Sequence, residues 1–279
     1  MPELPEVEAV RRYLEPYVMH QQIARVYLRR ADLRSPFPRG FRRRLEGQTV
    51  DSVMRRAKYL LVTLSSRDTL LMHLGMSGSF RVDGPEDASL DGGDYPAGPG
   101  LHDHVVFRMA SGAVVTFNDP RRFGSMDLLT PVQLARHPVL SRLGPEPLSS
   151  AFDAATLARA CTGKKVSLKL ALLDQRVVAG LGNIYASEAL HVAGLSPFRR
   201  ASIIATLSGA PRDSAVRLMR AIKRVLAQAI DRQIRDSRSS RFRVYDREGE
   251  RCPRAGCAGI IARRSQAGRS TFYCPVCQK

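Results

Sequence analysis

The sequence lacks any long apolar segment. No run of hydrophobic residues approaches the roughly 20 that a transmembrane helix needs. The first residues also lack the basic, apolar and small-residue succession of a secretory signal peptide. The sequence therefore has none of the usual signals for membrane insertion or export, and we expect a cytoplasmic protein that does not bind a membrane.

Acidic residues are scarce relative to basic ones. The chain of 279 residues carries 44 Lys and Arg against 26 Asp and Glu, a formal net charge of +18. The basic residues are spread over segments such as RRRLEG, MRRAK, DPRRFG and TGKKVSLK, whereas a membrane-binding patch is more often a single cluster. A distributed excess of cations suits a groove that holds a phosphate backbone. A basic surface that serves only solubility is the alternative, which so large a net charge disfavours.

The first half of the chain is dominated by strand patterns. A helical pattern over residues 5–18 precedes ARVYLRR, QTVDSVMRRAKYLLVTLS, TLLMHLGMSGSFRV, HDHVVFRM and AVVTFND. The last two segments predict a hairpin around a two-residue Ser-Gly turn, and residues 83–100 read as a surface loop. The length allows two domains and a small third. We predict that the first is a β-sandwich or flattened barrel.

The pattern changes after the linker-like segment LGPEPLSS. DAATLARACT, VSLKLALLD, NIYASEALHVAG and the long segment PRDSAVRLMRAIKRVLAQAIDRQI carry apolar residues at helical spacing. The glycine-rich VVAGLG precedes Asn183 at the start of one predicted helix. Backbone N–H groups at such a helix start can hold a phosphate; an ordinary turn between helices is the alternative.

Four of the five cysteines lie close together near residue 279. Cys252 and Cys257 form a C-x4-C pair, and Cys274 and Cys277 form a C-x2-C pair sixteen residues later. Two such pairs around a predicted β-hairpin (GIIARR and STFY, with the turn SQAG) indicate a structural zinc site with four thiolate ligands. Two disulfides are the alternative, which a cytosolic protein disfavours. The remaining Cys161 is interpreted as an apolar filler rather than a nucleophile.

Several segments together resemble one known family. In chain order they are MPELPEVE, RRAKYLL, HLGMSGS, HDHV, DPRRFG, LGPEPL, GLGNIYASE and the tail GRSTFYCPVCQK. In this order they are similar to bacterial formamidopyrimidine-DNA glycosylases over nearly the whole chain. The PELPEVE start distinguishes this branch from the related endonuclease VIII branch.

The resemblance implies an α+β multidomain protein. Its expected parts are an N-terminal β-sandwich catalytic domain (1–130), a linker (131–150), a helix-two-turn-helix DNA-binding domain (151–242) and a C-terminal β-hairpin zinc finger (243–279). The expected partner is damaged double-stranded DNA, held in a cleft between domains. We expect one structural zinc ion, no small-molecule cofactor and a monomer.

The resemblance also implies a bifunctional DNA glycosylase and lyase of base excision repair. Once the initiator Met is removed, Pro2 offers a secondary amine that is substantially neutral near pH 7, because α-amino groups have a pKa of about 8. It is expected to displace an oxidised or ring-opened purine, form a Schiff base and promote β,δ-elimination. Glu3, Lys58 and Arg269 are the other expected catalytic residues. Complementing a helix dipole is the alternative role for Glu3, and a solvated strand lysine is the alternative for Lys58.

The expected DNA contacts come from the same resemblance. Met76, Arg121 and Phe123 match the side chains that fill the space of a base flipped out of the duplex, although core packing is the alternative for Met76 and Phe123. The expected phosphate-binding residues are His102, Arg121, Lys164, Asn183 and Arg269. His102 and His104 have metal binding as an alternative.

One segment departs from the family pattern. The family usually has a Gly-, Thr- and Asp-rich loop that closes over 8-oxoguanine, whereas this chain has IDRQIRDSRSSRFRVYDREGERC. We therefore predict that ring-opened purines and abasic sites are processed well and 8-oxoguanine less well. The alternative functions are a catalytically silent protein that binds abasic DNA and an enzyme with the pyrimidine-lesion preference of endonuclease VIII. A non-enzymatic zinc-finger regulator is a more distant alternative.

Overall fold

The chain is divided into two structural units. The structure is a computed structural model that describes residues 2–84, 100–234 and 242–279. The first unit comprises Pro2 and residues 6–141, and the second comprises residues 3–5 and 142–279. Most of the predicted 83–100 loop, and the centre of the segment that departs from the family pattern, lie outside the described residues.

The first unit contains two antiparallel four-stranded sheets, as the strand patterns predict. One has the order β1 (Ile23–Leu28), β6 (Asp103–Met109), β7 (Val114–Asn118), β5 (Ser79–Asp83). The other has the order β2 (Val50–Arg56), β3 (Tyr59–Leu64), β4 (Thr69–His73), β8 (Ser125–Leu129). Both contribute to one apolar core, as does helix α1 (Leu4–Val18) through side chains such as Val7 and Leu14. The short helices α2 (Phe41–Leu45) and α3 (Pro131–Ala135) complete this unit.

Two strand predictions miss where the chain turns. The segment TLLMHLGMSGSFRV is not continuous, because residues 74–78 turn and place β4 and β5 in different sheets. The β6–β7 hairpin has a three-residue turn, since the Met109 N–H donates to the Ala113 carbonyl (2.8 Å) and Gly112 has a φ of 91°. Both turns contain serine and glycine, which indicate a turn but do not show how many residues it contains or that the following strand joins another sheet.

The second unit is helical up to its last segment. Its helices are α4 (Ala154–Cys161), α5 (Leu168–Leu173), α6 (Asn183–Ala193) and α7 (Asp213–Ile234), which share a second apolar core. Asp153 and Ser167 cap α4 and α5 through side-chain oxygens that accept backbone N–H groups, and α6 ends at Gly194 with a φ of 71°. Within the described ranges, none of the helices combines the length and hydropathy that crossing a bilayer requires.

The last part of the second unit is built on a hairpin and four cysteines. Strand β9 (Ala262–Gln266) pairs with β10 (Arg269–Tyr273) through a turn of Ala267 and Gly268, both with positive φ. Its apolar cluster contains Val244, Ile261, Phe272 and two of the cysteines. So few apolar side chains cannot stabilise a fold of this size without a metal.

Candidate functional site

The Glu3 carboxylate lies at the first turn of α6. Its two oxygens accept hydrogen bonds from the backbone N–H groups of Gly182 (2.8 Å), Ile184 (2.8 Å) and Tyr185 (3.3 Å). Glu3 is only 2% exposed. The donors are N–H groups that a helix start leaves free, and the helix dipole adds to their effect. Together they compensate the burial of an ionised carboxylate.

Two glycines allow this close approach. The Leu4 N–H donates to the Gly180 carbonyl (3.1 Å), so the backbone after Glu3 is held as well. A Cβ at Gly182 would overlap the Glu3 carboxyl group, and one at Gly180 would overlap the Leu4 side chain. The chain that directly follows Pro2 is therefore fixed by both backbone and side-chain hydrogen bonds.

The start of α6 is not the open anion site that the glycine-rich turn suggests. The anion held by Gly182, Ile184 and Tyr185 is the protein's own Glu3 carboxylate. Asn183 directs its side-chain Nδ2 to the Ser270 carbonyl (2.9 Å), and its Oδ1 is buried without a hydrogen-bond partner. The sequence identifies the helix start, but the ligand comes from 179 residues away along the chain.

A buried lysine holds the zinc-finger hairpin beside Arg269. Lys169 is 0% exposed, and its Nζ donates to the Ser270 carbonyl (3.0 Å) and to Thr271 Oγ1 (2.7 Å). Burial and the neighbouring Arg269 guanidinium lower the Lys169 pKa to about 8, while Glu3 acts in the opposite direction. Arg269 itself is exposed. Its position is thus set by Lys169 and Asn183, which both bind the carbonyl of the next residue.

A second buried carboxylate fixes the chain where it enters the zinc finger. Glu188 on α6 accepts the backbone N–H groups of Arg243 (2.8 Å), Val244 (2.8 Å) and Tyr245 (3.0 Å). Glu188 is 5% exposed. Helix α6 therefore anchors two separate segments, one at Glu3 and one at residues 243–245.

In the first unit, Met76 and Phe123 lie on two turns and are each 42% exposed. The Arg121 guanidinium lies over the Phe123 ring, 4.9 Å from its centroid. Neither Met76 nor Phe123 packs in the core, which was the alternative for both. The three side chains expected to enter DNA are therefore presented on loops rather than buried.

A buried carboxylate joins these two turns. Asp119 is 0% exposed and accepts the Ser77 hydroxyl (2.5 Å) and the Gly124 N–H (2.7 Å). The Ser77 Oγ also accepts the Arg121 N–H (3.2 Å). At Gly75, where φ is 65°, a Cβ would overlap the backbone of Phe123. The two loops are packed backbone against backbone and tied by one side chain.

The other predicted residues of the first unit lie at strand ends. Lys58 is half-buried in the turn between β2 and β3, after Ala57 with a φ of 53°. His102 is half-buried, and its backbone carbonyl accepts the Asp119 N–H (3.0 Å). His104 is buried, and its side-chain Nε2 lies 2.9 Å from the Asp119 carbonyl oxygen. Over residues 2–84, 100–234 and 242–279, neither histidine belongs to a group of three or more potential metal ligands.

His73 supports the Met76 turn and makes it sensitive to acid. Its Nδ1 accepts the Gly75 N–H (3.0 Å), and its ring packs against Tyr59. Burial lowers the His73 pKa to about 4, and the nearby Lys58 and Arg34 charges add to this effect. Between pH 6.5 and 4 the unfolded chain therefore binds more protons than the folded one, so stability falls as the pH falls through this window.

We expect His73→Asn to weaken this acid sensitivity. Asparagine places its Oδ1 near the position of the histidine Nδ1, so it can still accept the Gly75 N–H, but it does not titrate. Between pH 7 and pH 5, the free energy of unfolding measured with urea should fall by about 2 kcal/mol more in the wild type than in the variant. The exposed His20→Asn is the control for removing a histidine. Equal pH dependence in wild type and His73→Asn would contradict the prediction.

The four cysteine sulfurs fit one tetrahedral zinc ion. All four Sγ atoms lie within 4.8 Å of one another, with Cys252–Cys277 at 3.8 Å and Cys257–Cys274 at 3.6 Å. Zn–S bonds of about 2.3 Å give a tetrahedron with edges of about 3.8 Å. Zinc bound there stabilises the fold, and with four protein ligands it has no open position for substrate. Cys161 is buried in the helical core, away from this cluster, as predicted.

Sequence reasoning missed the residues that hold the site together. Lys169, Glu188 and Asp119 each bind groups distant along the chain, so the motifs around them do not show what they bind. One signal was present for Lys169, which interrupts the apolar face of the predicted helix VSLKLALLD and is buried with its neighbours. A lysine on such a face requires a partner, although the sequence does not show which one.

Comparisons with known proteins cover nearly the whole chain. Family models match the Formamidopyrimidine-DNA glycosylase N-terminal domain at residues 1–126, its H2TH domain at 143–240, and the zinc finger found in FPG and IleRS at 249–279. A Formamidopyrimidine-DNA glycosylase from Bradyrhizobium sp. (strain BTAi1) is 56% identical over 293 aligned residues, covering 100% of each chain. The structure is also similar to that of MutM (Fpg) from Thermus thermophilus, with a TM-score of 0.80, 37% identity, and 99% of this chain and 98% of that chain covered. It is similar to Lactococcus lactis Fpg bound to AP-site DNA, with a TM-score of 0.84, 31% identity and 100% of both chains covered.

Proposed function

The chain belongs to the formamidopyrimidine-DNA glycosylase family, and we propose that it excises oxidised or ring-opened purines through covalent attack by Pro2. It is a DNA glycosylase of base excision repair with a zinc finger. The assignment of individual residues to steps of the reaction, the lesion preference, the monomeric state and the cytoplasmic location remain predictions.

The proposed reaction starts at the Pro2 nitrogen. Its lone pair attacks C1′ of the damaged nucleotide, the bond from C1′ to the base breaks, and the base leaves with a proton. The sugar ring then opens to an iminium ion on Pro2, which withdraws electrons and acidifies the C2′ proton. Loss of that proton breaks the bond to the 3′ phosphate, and a second elimination breaks the bond to the 5′ phosphate. Water finally hydrolyses the iminium ion, which releases the sugar fragment as an aldehyde and frees the Pro2 amine.

The observation that carries the proposal is the fixed position of the chain directly after Pro2. Glu3 accepts three backbone N–H groups at the start of α6, and the Leu4 N–H binds Gly180. A nucleophile on a mobile chain end loses the benefit of orientation, which is worth several kcal/mol in a bimolecular step. The pyrrolidine ring adds to this by restricting the direction of the lone pair.

Glu3 is proposed to act from this anchored position. Its oxygens stabilise positive charge that develops on the neighbouring Pro2 and sugar, and they exchange protons with the sugar ring oxygen. Lys58 is proposed to act as a cation near the lesion, and Arg269 in the second elimination. The proposed phosphate-binding residues are His102, Arg121, Lys164, Asn183 and Arg269.

We expect Arg269→Ala to reduce DNA affinity and its salt dependence together. Arg269 is exposed at the first position of β10, so it can neutralise a phosphate. Its loss should decrease the slope of log K against log salt concentration by about 0.9, measured by fluorescence anisotropy from 50 to 200 mM salt. The control is Arg263→Ala on the paired strand, where the guanidinium lies 3.8 Å from Glu248 and should contribute less. An unchanged slope in Arg269→Ala would contradict the assignment.

We propose that 8-oxoguanine is processed less well than ring-opened purines. The support is the composition of residues 230–252, which contain one glycine and no threonine and lie partly outside the described residues. The alignment with the Bradyrhizobium enzyme spans 293 positions at full coverage of both chains, although this chain has 279 residues. That relative therefore contains residues with no counterpart here.

Two measurements test the proposed function. Wild-type protein incubated with an abasic-site duplex and sodium borohydride should become covalently joined to the DNA, since only a Schiff base is trapped in this way. Failure to trap would favour the catalytically silent alternative and overturn the proposal. Single-turnover rates on formamidopyrimidine, 8-oxoguanine and oxidised-pyrimidine duplexes then rank the lesions. An 8-oxoguanine rate equal to the formamidopyrimidine rate contradicts the lesion preference, and a faster pyrimidine rate favours the endonuclease VIII alternative.

A further inference from the structure

A buried histidine on α6 contacts the predicted zinc cluster without being one of its ligands. His191 is 2% exposed, and its Nε2 lies 3.3 Å from the Cys252 sulfur. Its Nδ1 is buried and has no hydrogen-bond partner. The function proposed above uses neither this histidine nor the contact.

The surroundings determine which ring nitrogen carries the hydrogen. A hydrogen on Nδ1 would be a buried donor without an acceptor, which costs about 1–3 kcal/mol. A hydrogen on Nε2 points at Cys252, whose sulfur is a thiolate once zinc is bound and can then only accept. The neutral imidazole with its hydrogen on Nε2 therefore gives the sulfur a donor and avoids an unpaired N–H at Nδ1.

The backbone of the same residue is held from the zinc finger. An Arg254 guanidinium nitrogen donates to the His191 carbonyl, and Arg254 follows Cys252 by two residues. The imidazole is thus fixed against the cluster from both its ring and its main chain. Four thiolates around one Zn²⁺ carry a net negative charge, and an N–H donor removes part of it from the sulfur that it contacts.

We propose that His191 donates a hydrogen bond to the zinc-bound Cys252 thiolate and thereby slows zinc loss. A thiolate that donates less electron density is a weaker nucleophile, so it reacts more slowly with electrophiles. Residues that hydrogen-bond to metal ligands typically contribute 10- to 100-fold to metal affinity. Helix α6 therefore protects the zinc finger chemically as well as anchoring it.

The test measures zinc release, so it does not depend on glycosylase activity. Full-length zinc-loaded protein is treated with iodoacetamide in the presence of a chromophoric chelator. A cysteine sulfur forms a bond to the CH2 carbon, iodide leaves, and the resulting thioether no longer binds zinc as a thiolate. His191→Phe keeps an aromatic ring but has no donor, and we expect it to release zinc about tenfold faster than wild type.

A conservative variant separates the hydrogen bond from packing. The Nε2 of glutamine can take the place of the histidine Nε2, so His191→Gln should restore slow release. Ser187→Ala is the matched control, because it removes a buried α6 hydroxyl that donates to the Asn183 carbonyl (2.8 Å) and leaves the Cys252 contact in place. It should release zinc at the wild-type rate.

Mass spectrometry identifies the cysteine that reacts. In His191→Phe we expect the share of alkylation at Cys252 to rise, whereas in wild type the more exposed Cys257 and Cys277 should react first. The proposal is overturned if His191→Phe releases zinc at the wild-type rate or if His191→Phe and His191→Gln accelerate release equally. It is also overturned if Cys252 is not alkylated faster in His191→Phe than in wild type.

Discussion

Acylating the Pro2 nitrogen is expected to abolish Schiff-base formation and to reduce strand cleavage at least about a thousandfold. A protein that carries a short, uncleaved peptide before Pro2 has an amide in place of the amine, and an amide nitrogen has no available lone pair. Everything after Pro2 is unchanged, including the anchoring of Glu3 by Gly182, Ile184 and Tyr185. The readouts are borohydride trapping on an abasic duplex and single-turnover nicking.

The matched control is the same protein after proteolytic removal of the extension up to Pro2. It should recover both activities, and intact mass should show that the chain begins at Pro2. Binding to a duplex with a non-reactive abasic analogue shows whether the extension blocks access. Nicking at the wild-type rate by the acylated protein, with DNA binding retained, would mean that another residue is the nucleophile.

Cys274→Ala is expected to unfold the zinc finger and to cause the largest loss of DNA binding. Structural zinc contributes about 10–16 kcal/mol of apparent binding free energy in small zinc-dependent folds, and the apolar cluster of this finger is small. The β9–β10 hairpin would lose its support and Arg269 its position. Lys169 would then keep a buried ammonium without Ser270 and Thr271, which destabilises the helical core next to it.

Three measurements check this outcome. The zinc content found by metal analysis should fall from one ion per chain to none. Trypsin should cleave at Arg263 and Arg264, and the affinity for an abasic duplex should fall at least about a hundredfold. Cys161→Ala is the control, because Cys161 is buried in the helical core and lies outside the cluster. It should keep its zinc and lose only about 1 kcal/mol of stability. Wild-type zinc content in Cys274→Ala would contradict the assignment of the ligands.

Local patterns were sufficient to identify the parts of this protein that depend on neighbouring residues. The cysteine spacing predicts the zinc cluster because each pair lies within one turn, and helices α4 to α7 follow from apolar spacing and capping residues such as Asp153. The β-strands of the first unit are also recognisable. The exceptions are residues 74–78 and 110–112, where serine and glycine mark a turn but not its length or the sheet of the next strand.

The sequence alone does not predict contacts between residues that lie far apart along the chain. The glycines before Asn183 indicate a helix start that binds an anion, but not that the anion is Glu3. Lys169 is recognisable as a lysine among apolar neighbours, yet its partners lie about a hundred residues further along. Such pairings depend on the tertiary fold, and a single sequence contains no periodicity that encodes them.

The tight packing of Gly75 against Phe123 has a consequence for the proposed insertion of Met76 and Phe123 into DNA. Because the two backbones are in contact and Asp119 ties their turns together, we expect Met76 and Phe123, the side chains proposed to enter DNA, to move together. Each base pair would be probed by a single concerted insertion, so rapid-mixing kinetics with a fluorescent base should show one exponential phase for both side chains rather than two. Truncating either side chain should then slow the same phase.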